Sequence, residues 1–257
     1  MRARWIIAAA VGLCLAAFAR DRVDIWIDAT VLPPLQLASS VQVLDREGAL
    51  LRAYTVADGR WRLAATAADV DPGFAAALMA YEDKRFYQHT GVDLRAMLRA
   101  VGQAVWNGRV ISGGSTITMQ VARLLEEGTT GEVSGKLRQM RVAWALERRL
   151  TKDQILGLYL SLAPYGGNLE GIRAATLSYF GKEPRRLTPA EIALLVAIPQ
   201  SPESRRPDRH QATATKARDR VLARAERDGL IDADQAQAAR SEVVPATRKA
   251  FPALAPH

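Results

Sequence analysis

The densest group of reactive side chains lies between residues 81 and 91. Glu82 and Asp83 end a strongly apolar segment, and the cations Lys84 and Arg85 follow directly. A carboxylate at the buried end of a helix is suited to accept a proton as a general base. At a solvated helix end the same residues would form only ordinary ion pairs, so this cluster alone leaves both interpretations open.

A second cluster, SGGSTITMQ, occupies residues 112–120. Its two glycines allow backbone shapes that other residues resist, and the hydroxyls of Ser115 and Thr116 precede an apolar helical segment. The N-terminus of a helix attracts anions, so a phosphate or a sugar hydroxyl would fit there. A capped helix after a flexible loop is the plain alternative. No Lys follows the second glycine, which excludes a Walker P-loop.

A third cluster places Lys136 and Arg138 near a predicted helix start, where the helix dipole disfavours cations. An anionic partner should offset them, either a pyrophosphate or a surface carboxylate. A glycine-rich and aromatic segment at 159–171 connects two predicted helices.

The elements that must position these clusters are mainly helical. Helix starts are predicted at Asp71-Pro72, at Asp93, at Thr116 or Ser115, and at two capping boxes that begin with Thr151 and Thr188. Residues 41–65 predict a small β-ribbon. The remaining predicted helices are 136–149, a helix starting at Asn168 and closed by Gly181, 211–228 and 232–241.

The N-terminus predicts export. Residues 5–19 carry no charge and follow Arg2 and Arg4, which favours a membrane anchor with its N-terminus in the cytoplasm. A cleaved signal peptide ending at 17–19 is the alternative. We therefore expect four parts: an anchor or signal segment at 1–29, a linker and β-ribbon at 30–65, the main domain at 66–245 and a tail at 246–257.

The charge balance favours an anionic partner. The formal net charge is +8 and the isoelectric point is near 10.0. Nucleic acid, anionic lipid or a phosphorylated substrate would all suit this balance, but no nucleic-acid-binding module is recognisable. The one cysteine, Cys14, and the three histidines form no zinc-site spacing.

Taken together, the clusters resemble the glycosyltransferase domain of class A penicillin-binding proteins and of monofunctional peptidoglycan glycosyltransferases. The pattern E-D-x-x-F-x-x-H-x-G begins at Glu82, and G-G-S-T-[IL]-T-x-Q spans 113–120. A third pattern, A-x-L-x-x-[IL]-P-Q-x-P, spans 193–202. The segments KLRQM and LAPYGGNLEG resemble the 1C branch of those enzymes.

This resemblance implies a mainly α, lysozyme-like domain with a small N-terminal β-ribbon and an N-terminal membrane helix. It implies polymerisation of lipid II, with an inverting displacement of undecaprenyl diphosphate from the growing glycan. The implied catalytic residues are Glu82, as base, and Asp83. The implied substrate-binding residues are Phe86, His89, Gly114, Ser115, Thr116, Gln120, Arg123 and Lys136.

The resemblance also sets expectations about partners. The membrane and lipid-linked glycan are expected partners, other cell-wall synthesis proteins are further candidates, and nucleic acid is not expected. A divalent cation, Mg²⁺ or Mn²⁺, is compatible with the family, although no ligand cluster specifies one. The implied location is the inner membrane, with a single N-terminal span and the catalytic domain on the periplasmic side.

Three positions depart from the family pattern. Gly135 and Gln139 stand where the third motif usually has Arg and Glu, and Ser161 stands where the fourth has Asn. Glu147 is expected to be structural. These departures motivate one alternative, a non-catalytic membrane-bound scaffold.

A second alternative is a lytic transglycosylase-like hydrolase of related fold. The S-x-x-K, S-x-N and K-T-G motifs of a transpeptidase are missing from the sequence. We therefore expect no penicillin binding and no peptide cross-linking by this chain.

Overall fold

A computed structural model describes residues 2–108, 114–126 and 133–254 of the chain. Within these ranges the chain forms ten α-helices and four short strands. The helices are α1 Arg2–Asp28, α2 Pro72–Glu82, α3 Leu94–Asn107, α4 Ile117–Leu125, α5 Val133–Glu147, α6 Lys152–Leu162, α7 Ile172–Tyr179, α8 Pro189–Ala197, α9 Pro207–Arg227 and α10 Ala233–Ser241. The strands are β1 Gln42–Leu44, β2 Leu50–Ala53, β3 Trp61–Arg62 and β4 Leu169–Glu170. The mainly α prediction is confirmed.

The predicted caps form the helix starts. The Asp71 carboxylate accepts a hydrogen bond from the Gly73 amide at 2.8 Å, ahead of α2. Thr151 and Thr188 complete capping boxes on α6 and α8. Side-chain oxygens here satisfy amides that have no partner within the helix, which fixes each helix start locally.

The predicted start of α7 at Asn168 is wrong. Residues Leu169–Glu170 form β4, and α7 begins only at Ile172. Gly171 separates them with a φ of 81°, and a Cβ at this position would lie 2.8 Å from the Ser161 carbonyl oxygen. The close approach of α6 therefore interrupts a segment whose apolar pattern alone predicts a helix.

The β-ribbon is only partly as predicted. β1 and β2 pair antiparallel, but β3 pairs in parallel with β4 from a distant part of the chain. Arg62 of β3 pairs with Glu170 of β4 at 2.6 Å. This long-range pair ties the N-terminal strands to the loop between α6 and α7.

The core lies where α8 packs against α2 and α9, and where α4 packs against α5 and α6. Phe74, Leu146, Ile155 and Leu195 are fully buried in it. The end of α2 and the start of α4 both adjoin this core, so the residues at these two helix ends have fixed positions.

The N-terminal helix α1 packs against α5. Arg148 pairs with Asp28 at 2.6 Å, and the Arg141 guanidinium lies 4.6 Å from the Trp26 ring centroid. In the part of the chain that the structure describes, no helix combines the length and the apolar character needed to cross a bilayer. The structure thus gives no support to the predicted membrane helix.

The C-terminal helices and tail differ slightly from expectation. α9 begins at Pro207, earlier than predicted, and continues through a kink at His210. Phe251 of the predicted tail stacks on Trp61 at 4.1 Å between ring centroids, and the Leu254 amide donates to the Leu51 carbonyl. The described tail residues thus pack on the strands, and residues 255–257 lie outside the described part.

Candidate active site

Glu82 is the last residue of α2, and two amide side chains hold its carboxylate. Gln120 Nε2, from α4, donates to Oε2 at 2.9 Å. Gln200 Nε2, from the short 3₁₀ helix after α8, donates to Oε1 at 2.7 Å. Because each oxygen accepts a hydrogen bond from one neutral donor, the carboxylate is oriented and keeps free lone pairs.

Asp83 lies behind Glu82 and is buried. His89 Nε2 lies 2.9 and 3.0 Å from the two Asp83 carboxylate oxygens, and the Ile117 amide donates to one of them at 3.0 Å. The Gly91 amide donates to His89 Nδ1 at 3.2 Å, which leaves the ring proton on Nε2, facing Asp83. This buried network joins the end of α2 to the start of α4.

The glycine–serine–threonine turn lies directly beside this network. Thr116 is the N-cap of α4, and its hydroxyl also donates to the Gly91 carbonyl. Gly91 has a φ of 95°, and a Cβ there would lie 2.7 Å from the Ala143 carbonyl oxygen. Gly114 packs against Met97 so closely that a Cβ would lie 2.9 Å from Met97 Cγ. The other predicted turn residues, 112 and 113, lie outside the described part.

A basic region lies at the same turn and cavity. Arg123 of α4 lines the cavity, and Lys136 Nζ of α5 donates to Ser115 Oγ. Burial, together with the nearby Arg123 charge, lowers the pKa of Lys136. Two cations held close together in a partly buried position are suited to an anionic ligand.

Together these groups surround one cavity of about 830 Å³. It is large enough for sugar rings, and both acidic and basic side chains line it. Glu82, Asp83 and Asp93 form its acidic wall, and Arg123, with Lys136 behind Ser115, forms its basic wall. Seven of the predicted site residues line it: Glu82, Asp83, Gly114, Ser115, Thr116, Gln120 and Arg123.

The other three predicted site residues lie one layer behind the cavity lining. Phe86 is buried in the core, with Lys152 Nζ 4.5 Å from its ring centroid. His89 contacts Asp83, and Lys136 contacts Ser115. The structure brings these residues to the site as supports, and direct contact with a substrate stays a prediction for them.

Sequence reasoning missed several residues of the lining. Gln200 belongs to the pattern at 193–202, so its signal was present, but its bond to Glu82 was not foreseen. Arg99 of α3 and Arg224 of α9 also line the cavity. Each is one cation in a basic helix, and no local pattern distinguishes it from its neighbours.

The departures from the family pattern lie away from the lining. Gln139 is partly buried on α5, and the Ser161 hydroxyl accepts a hydrogen bond from the Ala65 amide at 3.4 Å. Glu147 accepts from Thr118 at 2.7 Å and from Lys152 at 2.6 Å. This buried ion pair supports the expected structural role of Glu147.

The carboxylates near the cavity are engaged with protein groups rather than arranged around a vacant centre. Asp93 caps α3 and accepts from Arg85 Nε at 2.9 Å, and the Arg85 guanidinium lowers the pKa of Asp93 to about 2. Among the described residues, no group of His, Cys, Asp and Glu has the arrangement of a metal site. The carboxylates of the described part of the chain therefore do not fit a resident divalent cation.

A carboxylate held by neutral amides, in a cavity that also has paired cations, is suited to transferring a group away from an anionic leaving group. Comparison with known proteins agrees with this class. Residues 47–226 match the Transglycosylase family, so the chain belongs to that family. The predicted class, a peptidoglycan glycosyltransferase domain, is confirmed.

The relatives are penicillin-binding proteins. The chain is 41% identical over 257 residues to penicillin-binding protein 1C of Escherichia coli (strain K12), covering 99% of this chain and 32% of that protein. It is 37% identical over 180 residues to penicillin-binding protein 1A of Pseudomonas aeruginosa, covering 70% and 22%. The chain thus spans about a third or less of the length of these relatives.

One solved structure is also similar. Penicillin-binding protein 1A from Haemophilus influenzae has a TM-score of 0.45 and 18% identity, covering 84% of this chain and 22% of that one. This likeness is too remote to add to the family assignment.

Proposed function

We propose that this chain polymerises lipid II into peptidoglycan strands, with Glu82 as the catalytic base. The observation that carries the proposal is the Glu82 carboxylate, which Gln120 and Gln200 orient at a cavity of about 830 Å³. Neutral amide donors fix the carboxylate in place while leaving lone pairs free to accept a substrate proton.

In the proposed reaction, a hydroxyl oxygen of the acceptor sugar attacks the anomeric carbon of the donor sugar. The new carbon–oxygen bond forms as the bond to undecaprenyl diphosphate breaks on the opposite face, which inverts the configuration. The hydroxyl proton passes to Glu82. Asp83 and His89 hold the end of α2 in place, so the base is preorganised.

The leaving diphosphate gains negative charge as the bond breaks. Arg123 lines the cavity, and Lys136 lies behind Ser115, so their charges oppose the negative charge that develops. Fixed cations stabilise such a transition state without reorganisation. We therefore propose that the donor diphosphate binds beside Arg123.

A lipid-linked substrate requires contact with a membrane, and we include this in the proposal. α3 lines the cavity with Ala96 and Arg99, whereas Leu94, Leu98 and Trp106 on the same helix are exposed. An amphipathic helix of this kind lies well at a membrane surface. We propose that this face meets the bilayer beside the cavity.

The location of the protein is also a proposal. α1 exposes a series of large apolar side chains from Trp5 to Phe18. We propose that α1 attaches the domain to the inner membrane, with the catalytic domain on the periplasmic side. The lysozyme-like arrangement and interactions with other cell-wall synthesis proteins are further expectations from the family.

The test is a lipid II polymerisation assay on the wild type and Glu82→Gln. Loss of a general base should lower the rate by about 10²- to 10⁴-fold. Glu47→Gln, which changes an exposed carboxylate away from the cavity, is the matched control and should polymerise at the wild-type rate.

Other outcomes would contradict the proposal. Equal background product from the wild type and Glu82→Gln would favour a scaffold. Shortening of preformed glycan without polymerisation of lipid II would favour a hydrolase. Neither Gln139 nor Ser161 lines the cavity, so we expect these departures to leave polymerisation intact.

A further inference from the structure

Arg224 of α9 reaches the end of the helix that carries Glu82. Its Nη2 donates to the Ala80 carbonyl at 3.0 Å, and its guanidinium carbon lies 4.9 Å from the Tyr81 ring centroid. Arg224 is separated from Ala80 by 144 residues, and it also lines the catalytic cavity. One side chain therefore contacts both residues that precede Glu82.

The chemistry of a helix end explains why a cation suits this position. The last carbonyls of α2 have no partner within the helix, and the dipole places partial negative charge there. Arg224 supplies a donor to one such carbonyl and positive charge to the helix end. Its planar group can donate in its plane while its face lies over an aromatic ring, which a lysine cannot do equally well.

The end of α9 also contacts Lys84, which follows Glu82 by two residues. Lys84 Nζ lies 2.8 Å from an Asp228 carboxylate oxygen, and Arg224 Nε lies 3.6 Å from the same carboxylate. Residues 80, 81 and 84 thus all contact the end of α9. Glu82 lies within this span, with its own carboxylate held by Gln120 and Gln200.

We propose that Arg224 is a positioning residue for Glu82, holding the end of α2 so that the carboxylate faces the acceptor hydroxyl. This inference rests on the proposed function. Arg224 affects the chemical step and not substrate affinity. Its effect passes through the α2 backbone and the Tyr81 ring.

The test compares Arg224→Met with Arg220→Met in the lipid II polymerisation assay. Arg220 is an exposed arginine one helical turn earlier on α9 and does not line the cavity, so its removal controls for lost charge. We expect Arg224→Met to lower kcat by about 10- to 100-fold, because small misplacements of a catalytic group have large effects. We expect KM to change by less than about twofold.

The split between kcat and KM separates positioning from substrate binding. A higher KM with unchanged kcat in Arg224→Met would mean that Arg224 binds substrate, and would overturn the inference.

Folding is checked by thermal unfolding of each variant. If Arg224→Met does not fold, Arg224→Lys and Asp228→Asn replace it, and wild-type kcat in both would overturn the inference. A wild type that forms no polymer would remove the proposed function and this inference together. A polymerising wild type matched by Arg224→Met would overturn the inference alone.

Discussion

The two walls of the cavity are built differently. On the acidic wall each carboxylate has protein partners: Glu82 has two amides, Asp83 has His89 and a backbone amide, and Asp93 has Arg85. On the basic wall, Arg123 has no hydrogen-bond or ion-pair partner among residues 2–108, 114–126 and 133–254.

This difference indicates what each wall does. A fully partnered group is fixed before substrate arrives, which suits a base that must face one hydroxyl. A partly buried cation without a carboxylate partner has an unfavourable environment that an anionic ligand would relieve. The protein therefore holds the carboxylates in place, whereas we expect an anionic substrate to offset the charge of Arg123.

The strongest test of the comparison removes a cation. We expect Lys136→Met to lower kcat/KM by about 10²- to 10³-fold, the usual effect of losing one group that stabilises a developing anion. Its free energy of unfolding should not fall, because burial already disfavours the charged lysine. Lys216→Met, on an exposed part of α9, is the control for lost charge.

The matching test changes a carboxylate of the acidic wall, and here we expect a loss of folding stability. Asp83→Asn leaves the buried contacts to His89 and Ile117 poorly satisfied, so we expect the free energy of unfolding to fall by about 1–3 kcal/mol. Urea unfolding measures this loss, with the exposed Asp234→Asn as control. A variant as stable as the wild type would show that the acidic wall is not preorganised by this network.

A third test uses pH. The folded-state pKa of Asp93 is about 2, below the ordinary aspartate value near 3.9, so its pairing with Arg85 stabilises the protein above pH ~4. We expect Asp93→Asn, which can still cap α3, to be less stable than the wild type at pH 7. The difference should disappear as pH falls toward about 2. Unfolding measured across this range checks the trend, and a constant difference would contradict it.

The smallest expected effect concerns the departure in the third motif. Gln139→Glu restores the usual family residue at a position outside the cavity lining. We expect the polymerisation rate to change by less than about twofold, as for a substitution away from a functional feature. A large gain in rate would show that a second carboxylate acts on the donor and that the basic wall is incomplete without it.

Local chemistry made much of the fold predictable. The capping side chains of Asp71, Thr151 and Thr188 act within a few residues of themselves, so the helix starts followed from short patterns. The sequence pattern predicts β3 as part of one ribbon at 41–65, but β3 pairs with β4, which lies more than 100 residues away. Strand pairing at that distance leaves no local periodic signal.

The sequence by itself determined the family and most helix starts, and it indicated Glu82 as the candidate base, because these depend on residue type at short spacing. Only the tertiary structure decided which groups contact Glu82. Gln200 reaches Glu82 from 118 residues away in the chain, and Arg224 reaches the nearby Ala80 carbonyl from 144 residues away. Those contacts exist because α8 and α9 pack against α2, and packing between distant segments is set by the whole core.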